Sequence, residues 1–142
     1  MTTDAVELTD ARAVVETAWA AFSAKDLDTM LDCLADDMRW EIMGGEDFMP
    51  GGGLFTSKSE VVARLMPLAG EIFDLPTFSL TTTNVIVDGS TVVLEYIVNT
   101  KTPSGREYYG VKYIAVFEVT AGKISAIREY GHTLKAANVL YG

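Results

Sequence analysis

Glu129 and His132 are the side chains of this sequence whose types and placement best suit proton chemistry. They close the segment Gly122-Lys-Ile-Ser-Ala-Ile-Arg-Glu-Tyr-Gly-His-Thr133, which follows a tight Ala121-Gly122 turn and carries Ile124 and Ile127. A carboxylate on a strand that helps build a core must face either water or an enclosed cavity. Inside a cavity, desolvation raises its pKa toward neutrality unless a donor pairs with it, and that is the setting of a carboxyl general acid or base. The bland alternative is a solvated strand residue, or one tied to Arg128 or Arg106 at the sheet edge. His132, the single histidine of the chain, can contact a ligand at a pocket mouth or shuttle a proton near neutral pH. A structural histidine just before a helix is the competing reading. One histidine without nearby ligand spacing does not make a metal site.

Elements must then bring other groups to Glu129. Asp10 can cap a helix over about 11–24, where Val15, Trp19 and Phe22 recur at helical spacing. Asp26 can cap a second short helix whose apolar stripe is Leu27, Met30, Leu31 and Leu34. Residues 38–43 read as a strand, on which Trp40 and Ile42 share one face and Glu41 the other. A long glycine-rich loop follows, with an apolar Phe48-Met49 tip that suits a lid or pocket wall. Ser57-Lys-Ser-Glu60 is a capping box opening a helix, and Pro67 should kink or end that helix. Four strands are expected at approximately 78–87, 91–100, 106–119 and 123–131, separated by Asp88-Gly89, Thr102-Pro103-Ser104-Gly105 and Ala121-Gly122. Thr133 can cap a last helix over 134–140. Helices followed by hairpins describe a single α+β domain over 1–142, a curved antiparallel sheet wrapped around N-terminal helices as a cone with an internal pocket.

Composition narrows the partners. With 142 residues, 49% hydrophobic and 22% charged, the chain has the makeup of one globular domain. A formal net charge of -9 argues against nucleic acid and anionic lipid surfaces. No apolar run approaches the ~20 residues of a membrane span, and no signal peptide is visible. The single Cys33 excludes an internal disulfide and any CxxC site, so a reducing cytoplasm fits best. No nucleophile–histidine pairing and no phosphate loop is apparent, and the expected cofactor and metal complement is none.

The stretches Ala20-Ala-Phe-Ser-Ala-Lys-Asp-Leu-Asp28, Leu34-Ala-Asp-Asp-Met-Arg-Trp-Glu41, Pro50-Gly-Gly-Gly53, Phe117-Glu-Val-Thr-Ala-Gly-Lys-Ile124 and Arg128-Glu-Tyr130 stand in an order and spacing that resembles the SnoaL-like, ketosteroid-isomerase-like superfamily. That resemblance covers almost the whole chain and implies the nuclear transport factor 2 fold, a cystatin-like α+β barrel. It implies a homodimer through the sheet as well. The superfamily holds isomerases, cyclases, hydrolases and non-catalytic proteins, so the fold alone does not give the reaction.

Carried across position by position, the family's catalytic sets are incomplete here. The general-base aspartate of ketosteroid isomerases falls on Ile42, their first-helix tyrosine on the Ala18-Trp19 region, and their protonated acid among the apolar residues 114–116. Steroid isomerisation thus lacks both base and enolate donors. Limonene-epoxide-hydrolase-like proteins carry a last-strand Trp-Arg-Asp-Tyr-Phe-Asp motif similar to Ile127-Arg-Glu-Tyr-Gly-His132, which puts Glu129 on their catalytic aspartate. Their arginine and second aspartate become Tyr96 and Val98, or Glu95 and Ile97, depending on a one-residue register choice. Their water-positioning tyrosine and asparagine become Trp40 and Ile42. What the resemblance leaves is Glu129 as the catalytic carboxylate in a pocket contacted by Trp40, Ile42, Phe22, Phe48, Met49, Tyr96 and His132. A hydrophobic small molecule is the expected ligand. Cofactor-free acid/base catalysis is the leading expectation, and a non-catalytic carrier is the alternative. An unpaired Glu129 favours the first; polar groups already bonded to each other favour the second.

Overall fold

The computed structural model describes residues 3–49 and 51–141, with side chains for 11–47, 49 and 51–140. Helix α1 (Thr3–Ser23) buries Val15, Ala18 and Trp19, one face at helical spacing. It begins ahead of Asp10, which is therefore an interior helix residue and not the cap. Lys25 adopts a left-handed backbone (φ 62°) that turns the chain, and Asp26 caps α2 (Leu27–Asp32) by accepting the Thr29 N–H. The Thr29 hydroxyl, foremost, and that N–H hold the Asp26 carboxyl below its ordinary range.

Strand β1 (Leu34–Ile42) starts at Leu34, earlier than the 38–43 expectation, because Leu34 is a buried strand residue and not part of the helical stripe. The glycine-rich loop contains a short helix, α3 (Gly45–Phe48), before β2 (Leu54–Phe55). Ser57 then caps a continuous helical stretch: α4 (Lys58–Glu60), a π-helical turn (Val61–Leu65) and α5 (Met66–Ile72). Pro67 does not end it. The wider turn just ahead of Pro67 accommodates a residue that lacks an N–H. A helical turn (Leu75–Thr77) leads into β3 (Ser79–Asp88), β4 (Thr91–Lys101), β5 (Glu107–Thr120) and β6 (Lys123–Tyr130), and α6 (Thr133–Tyr141) closes the chain.

The strands form one sheet in the order β2-β1-β6-β5-β4-β3. The meander from β3 to β6 is antiparallel, as the short turns require. The pairing of β1 with β6 is parallel, which corrects the expectation of a wholly antiparallel sheet. These two strands are joined by no hairpin, so nothing local sets their direction. That pairing places Ile42 opposite Glu129 and Trp40 opposite Ile127.

Alternation fixes the inner face of β4: Val92, Leu94, Tyr96, Val98 and Thr100 are all buried. On β5 simple alternation fails twice. Gly110, at φ 64°, accompanies a register shift against β4 that lets Tyr108 and Tyr113 face the same side although five residues separate them. A second shift, between Glu118 and Val119, lets both Ile124 and Ile127 of β6 be buried. Trp19 fills the centre, edge-on to Phe117 at 4.7 Å and tilted on Trp40 at 5.6 Å.

Candidate functional site

The concave sheet face, α1 and the last two helices enclose a cavity of about 110 Å³. Apolar cavities of about 150 Å³ stay dry and admit benzene-sized guests, so this one suits a compact ring. Phe22 lines it from α1, Trp40 and Ile42 from β1, and Ile72 and Leu140 from α5 and α6. The loop after β1 supplies Met49, buried against it. Two bonds hold that loop down: Ile42 N–H to the Gly53 carbonyl at 2.7 Å, and Arg64 Nη2 to the Gly51 carbonyl at 3.0 Å.

Glu129 is the carboxylate of this otherwise apolar wall. Trp40 Nε1 donates to its Oε1 at 2.8 Å, and the Tyr96 hydroxyl donates to its Oε2 at 2.7 Å. Burial raises the Glu129 pKa, and the bonds from Tyr96 and Trp40 pull against that rise without cancelling it. Hydrogen bonds to a charged acceptor contribute about 1.5–3 kcal/mol each. Both donors are neutral, and each carboxylate oxygen keeps further acceptor capacity. Burial, and then the Glu129 charge, hold the Tyr96 phenol well above its ordinary pKa, so it remains a donor.

A second polar pair lies beside the first. Tyr108 and Tyr113 share a hydroxyl–hydroxyl bond of 2.7 Å. The Tyr113 ring stacks on Tyr96 with centroids 5.5 Å apart and planes 18° from parallel. It also abuts Gly131, where a Cβ would fall 2.6 Å from Tyr113 Cε2. Burial raises both phenols, Tyr113 by far the more, with the Glu129 charge adding to each.

The structure thus gathers Glu129, Trp40, Ile42, Phe22 and Met49 around one cavity. Tyr96 stands behind the wall and grips Glu129. The register choice resolves in favour of Tyr96 and Val98 inside; Glu95 lies on the outer face, where it accepts from Asn84 Nδ2 at 3.0 Å. Neither inward residue carries charge, so the arginine and second aspartate of the epoxide-hydrolase set have no counterpart on β4. The side chain of Phe48 lies outside the described residues. His132 is not on the cavity. Its Nδ1 accepts the Lys135 N–H at 3.2 Å, capping α6 in place of Thr133, and it borders a groove on the outer sheet face with Tyr130 and Ile114. β6 has ended at Tyr130 by then, and the imidazole is engaged in starting the helix. Cys33 is a free, half-buried thiol whose pKa burial raises. Among the described residues no group of three His, Cys, Asp or Glu could hold a metal ion, and no helix is long and apolar enough to cross a membrane. The phenol pair was within reach of sequence reasoning: a glycine in mid-strand, Gly110, signals a bulge that changes which tyrosines face inward.

A curved sheet closed by helices over a small cavity with one carboxylate defines an α+β cone of the nuclear transport factor 2 type. The sequence profile of the SnoaL-like domain matches residues 15–127, and the chain belongs to that family. Comparison with curated proteins gave no match. Similar solved structures include an NTF2-like protein of Burkholderia pseudomallei (20% identity, TM-score 0.84, 94% of this chain and 98% of that one). TerC co-crystallised with polyporic acid superposes with a TM-score of 0.82 at 14% identity, over 94% of this chain and 99% of that one. An LEH-like epoxide hydrolase of M. tuberculosis gives 0.74 at 22% identity, over 94% and 91%. At these identities the likeness shows the shared fold.

Proposed function

We propose that this chain is a cofactor-independent acid/base catalyst acting on a compact apolar molecule, with Glu129 taking and returning the proton. The observation that carries this reading is the setting of Glu129: a carboxylate on an apolar cavity wall, oriented at both oxygens by neutral donors, with its pKa raised by burial. A carboxylate so placed is aimed and poorly solvated, which raises its basicity toward working pH. Isomerisation, cyclisation and hydration or hydrolysis all begin with such a transfer. An LEH-like epoxide hydrolase shares this fold, so acid/base chemistry is among the uses to which the fold is put.

Solvent exchange tests this even though the natural substrate is unidentified. Six-membered-ring ketones and enones in D₂O should gain deuterium at the acidic carbon faster with wild-type protein than with Glu129→Gln. The excess rate should grow as pH rises through the Glu129 midpoint. Equal rates for the two proteins across the panel would discard the catalytic reading.

A carrier is the second reading, and the criterion drawn from the sequence favours it: Glu129 is not unpaired but accepts from both Trp40 and Tyr96, and Tyr108 and Tyr113 bond each other. A carrier would bind the same panel without promoting exchange. Either role is compatible with a homodimer through the outer sheet face, where Ile114 and Tyr130 are exposed; sedimentation at micromolar concentration checks this. The net charge of -9 disfavours nucleic acid, and the free Cys33 suits a reducing cytoplasm.

A further inference from the structure

The cavity does not end at Phe22. A smaller chamber of about 60 Å³ adjoins it, and Phe22, Met66, Ala69, Leu75 and Phe78 line both. The Phe22 ring joins the two: it is edge-on to Trp40 at 6.4 Å and stacked on Phe78 at 5.3 Å. Glu129 and Trp40 line the inner cavity alone, and Lys25 and Leu27 line the outer chamber alone. Lys25 is exposed, so the chamber meets solvent at that residue. Every other residue lining the chamber is apolar.

The backbone at Lys25 makes the choice of side chain informative. The Asp26 N–H donates to the Ala21 carbonyl at 2.8 Å and the Lys25 N–H to that of Phe22 at 3.1 Å, a Schellman ending for α1. Such an ending needs a left-handed residue, here Lys25 at φ 62°, and glycine fills that position at the least conformational cost. The turn explains the angle and leaves the lysine unexplained. A side chain kept at a strained position points toward function. Among the described residues Lys25 joins no ion pair, and the neighbouring Asp26 carboxylate is taken by the hydroxyl and N–H of Thr29. A chain of net charge -9 repels anions over most of its surface. An unpaired cation at the mouth of an apolar passage is the local exception.

We propose that the ligand is a ring compound with a short arm ending in a carboxylate: the ring enters the inner cavity, the arm passes Phe22, and the carboxylate pairs with the Lys25 ammonium. This deepens the proposed function and rests on its reading of the cavity as a ligand site. One ammonium among apolar neighbours matches the single charge of a carboxylate, whereas a phosphate dianion would want further donors. The arrangement also holds the two carboxylates at opposite ends of the passage, so the ligand's charge does not oppose ionisation of Glu129. The ring is then the part that Glu129 reaches.

3-Phenylpropanoate and its neutral counterpart 3-phenylpropanamide are suitable probes, with binding followed by the fluorescence of Trp19 and Trp40, which line the inner cavity. At low salt the wild-type protein should bind the carboxylate about threefold to fivefold more tightly than the amide, the worth of one exposed ion pair. Lys25→Gln should abolish that preference and leave amide affinity unchanged, and Lys25→Arg should retain it. Lys25→Gly should lose it too while raising Tm, because glycine suits the turn better. A glycine variant less stable than wild type would show that the lysine serves the turn, and would overturn the inference. Lys112→Gln, which removes the same charge from the outer sheet face, should leave the preference intact. A preference absent from wild type, unchanged in Lys25→Gln or lost equally in Lys112→Gln overturns the proposal, as does failure of both probes to bind. Deuterium exchange into ring ketones reads the catalytic proposal separately. Equal rates in wild type and Glu129→Gln, with the Lys25 preference in place, leave the ligand class standing and remove the catalyst.

Discussion

Trp40 and Glu129 are diagonal neighbours across the parallel β1–β6 pair, with Trp40 opposite Ile127 and Glu129 opposite Ile42. At that offset only a long side chain reaches across, and the indole of Trp40 does so, placing Nε1 2.8 Å from Oε1. Trp40 is thus both an apolar wall of the cavity and the group that orients its carboxylate.

Removing that donor should raise the Glu129 pKa further. The bond stabilises the charged form, so Trp40→Phe leaves burial less opposed. The Cδ resonance of Glu129 in ¹³C-labelled protein should titrate at higher pH in Trp40→Phe than in wild type, and Tyr96→Phe should shift it in the same direction. Glu129→Gln assigns the signal. A midpoint that stays in place or falls in Trp40→Phe would show that the bond does not support the carboxylate.

Stability should carry the mark of the same group. The folded-state pKa of Glu129 is raised above its unfolded value by burial. Its contribution is then fully present below the unfolded carboxylate range and is lost as pH rises through the folded value. Wild-type stability should fall relative to Glu129→Gln across that window and run parallel to it on either side. Urea unfolding at a series of pH values measures the difference, and a wild-type advantage that grows with pH would contradict it. The constant offset reports the amide's poorer match to two donors, so the slope is the diagnostic.

Glu60 should behave in the opposite sense. It accepts the Thr56 hydroxyl and N–H, each at 2.6 Å, and pairs with Arg64 at 2.7 Å. The Thr56 bonds, foremost, and the Arg64 contact hold its pKa at about 2. Its contribution is present above the unfolded carboxylate range and disappears as pH falls through the folded value. Glu60→Ala should lower Tm at neutral pH, and the deficit should shrink in strongly acidic solution. Thermal melts across the acidic range check this; an equal deficit at all pH values would place the effect elsewhere.

Much of this was legible in the sequence, and the failures share a physical origin. The turns at Asp88-Gly89 and Ala121-Gly122 are local, so the meander could be read directly, as could the Asp26 cap and the Ser57-to-Glu60 capping pattern. Glu129 could be singled out, but its orientation could not. Ile127 lies on the buried face while Ala126 and Tyr130 lie on the other, so the apolar pattern does not choose between them. The β1–β6 pairing spans most of the chain and has no turn to announce it, which hid the Trp40–Glu129 bond. The bulge at Gly110 broke the alternation that would have set Tyr108 and Tyr113 apart. His132 drew notice for its rarity, yet its Nδ1 serves a helix end.

Gly131 provides the sharpest test of how the phenol pair is mounted. Its backbone is outside the left-handed region, so an alanine there is not excluded by its own conformation. The obstacle is the neighbour: an added Cβ would lie 2.6 Å from Cε2 and 2.9 Å from Cζ of Tyr113. That ring cannot swing aside freely, because Tyr96 stacks on it and Tyr108 holds its hydroxyl. Gly131→Ala should therefore cost roughly 1–3 kcal/mol, the range for overpacking a fixed interior. In a Tyr113→Ala background the same change should cost little, since the ring that it strikes is gone. Urea unfolding of the four proteins gives the coupling directly. A penalty for Gly131→Ala that persists without the Tyr113 ring would mean that the glycine serves the backbone and not the phenol.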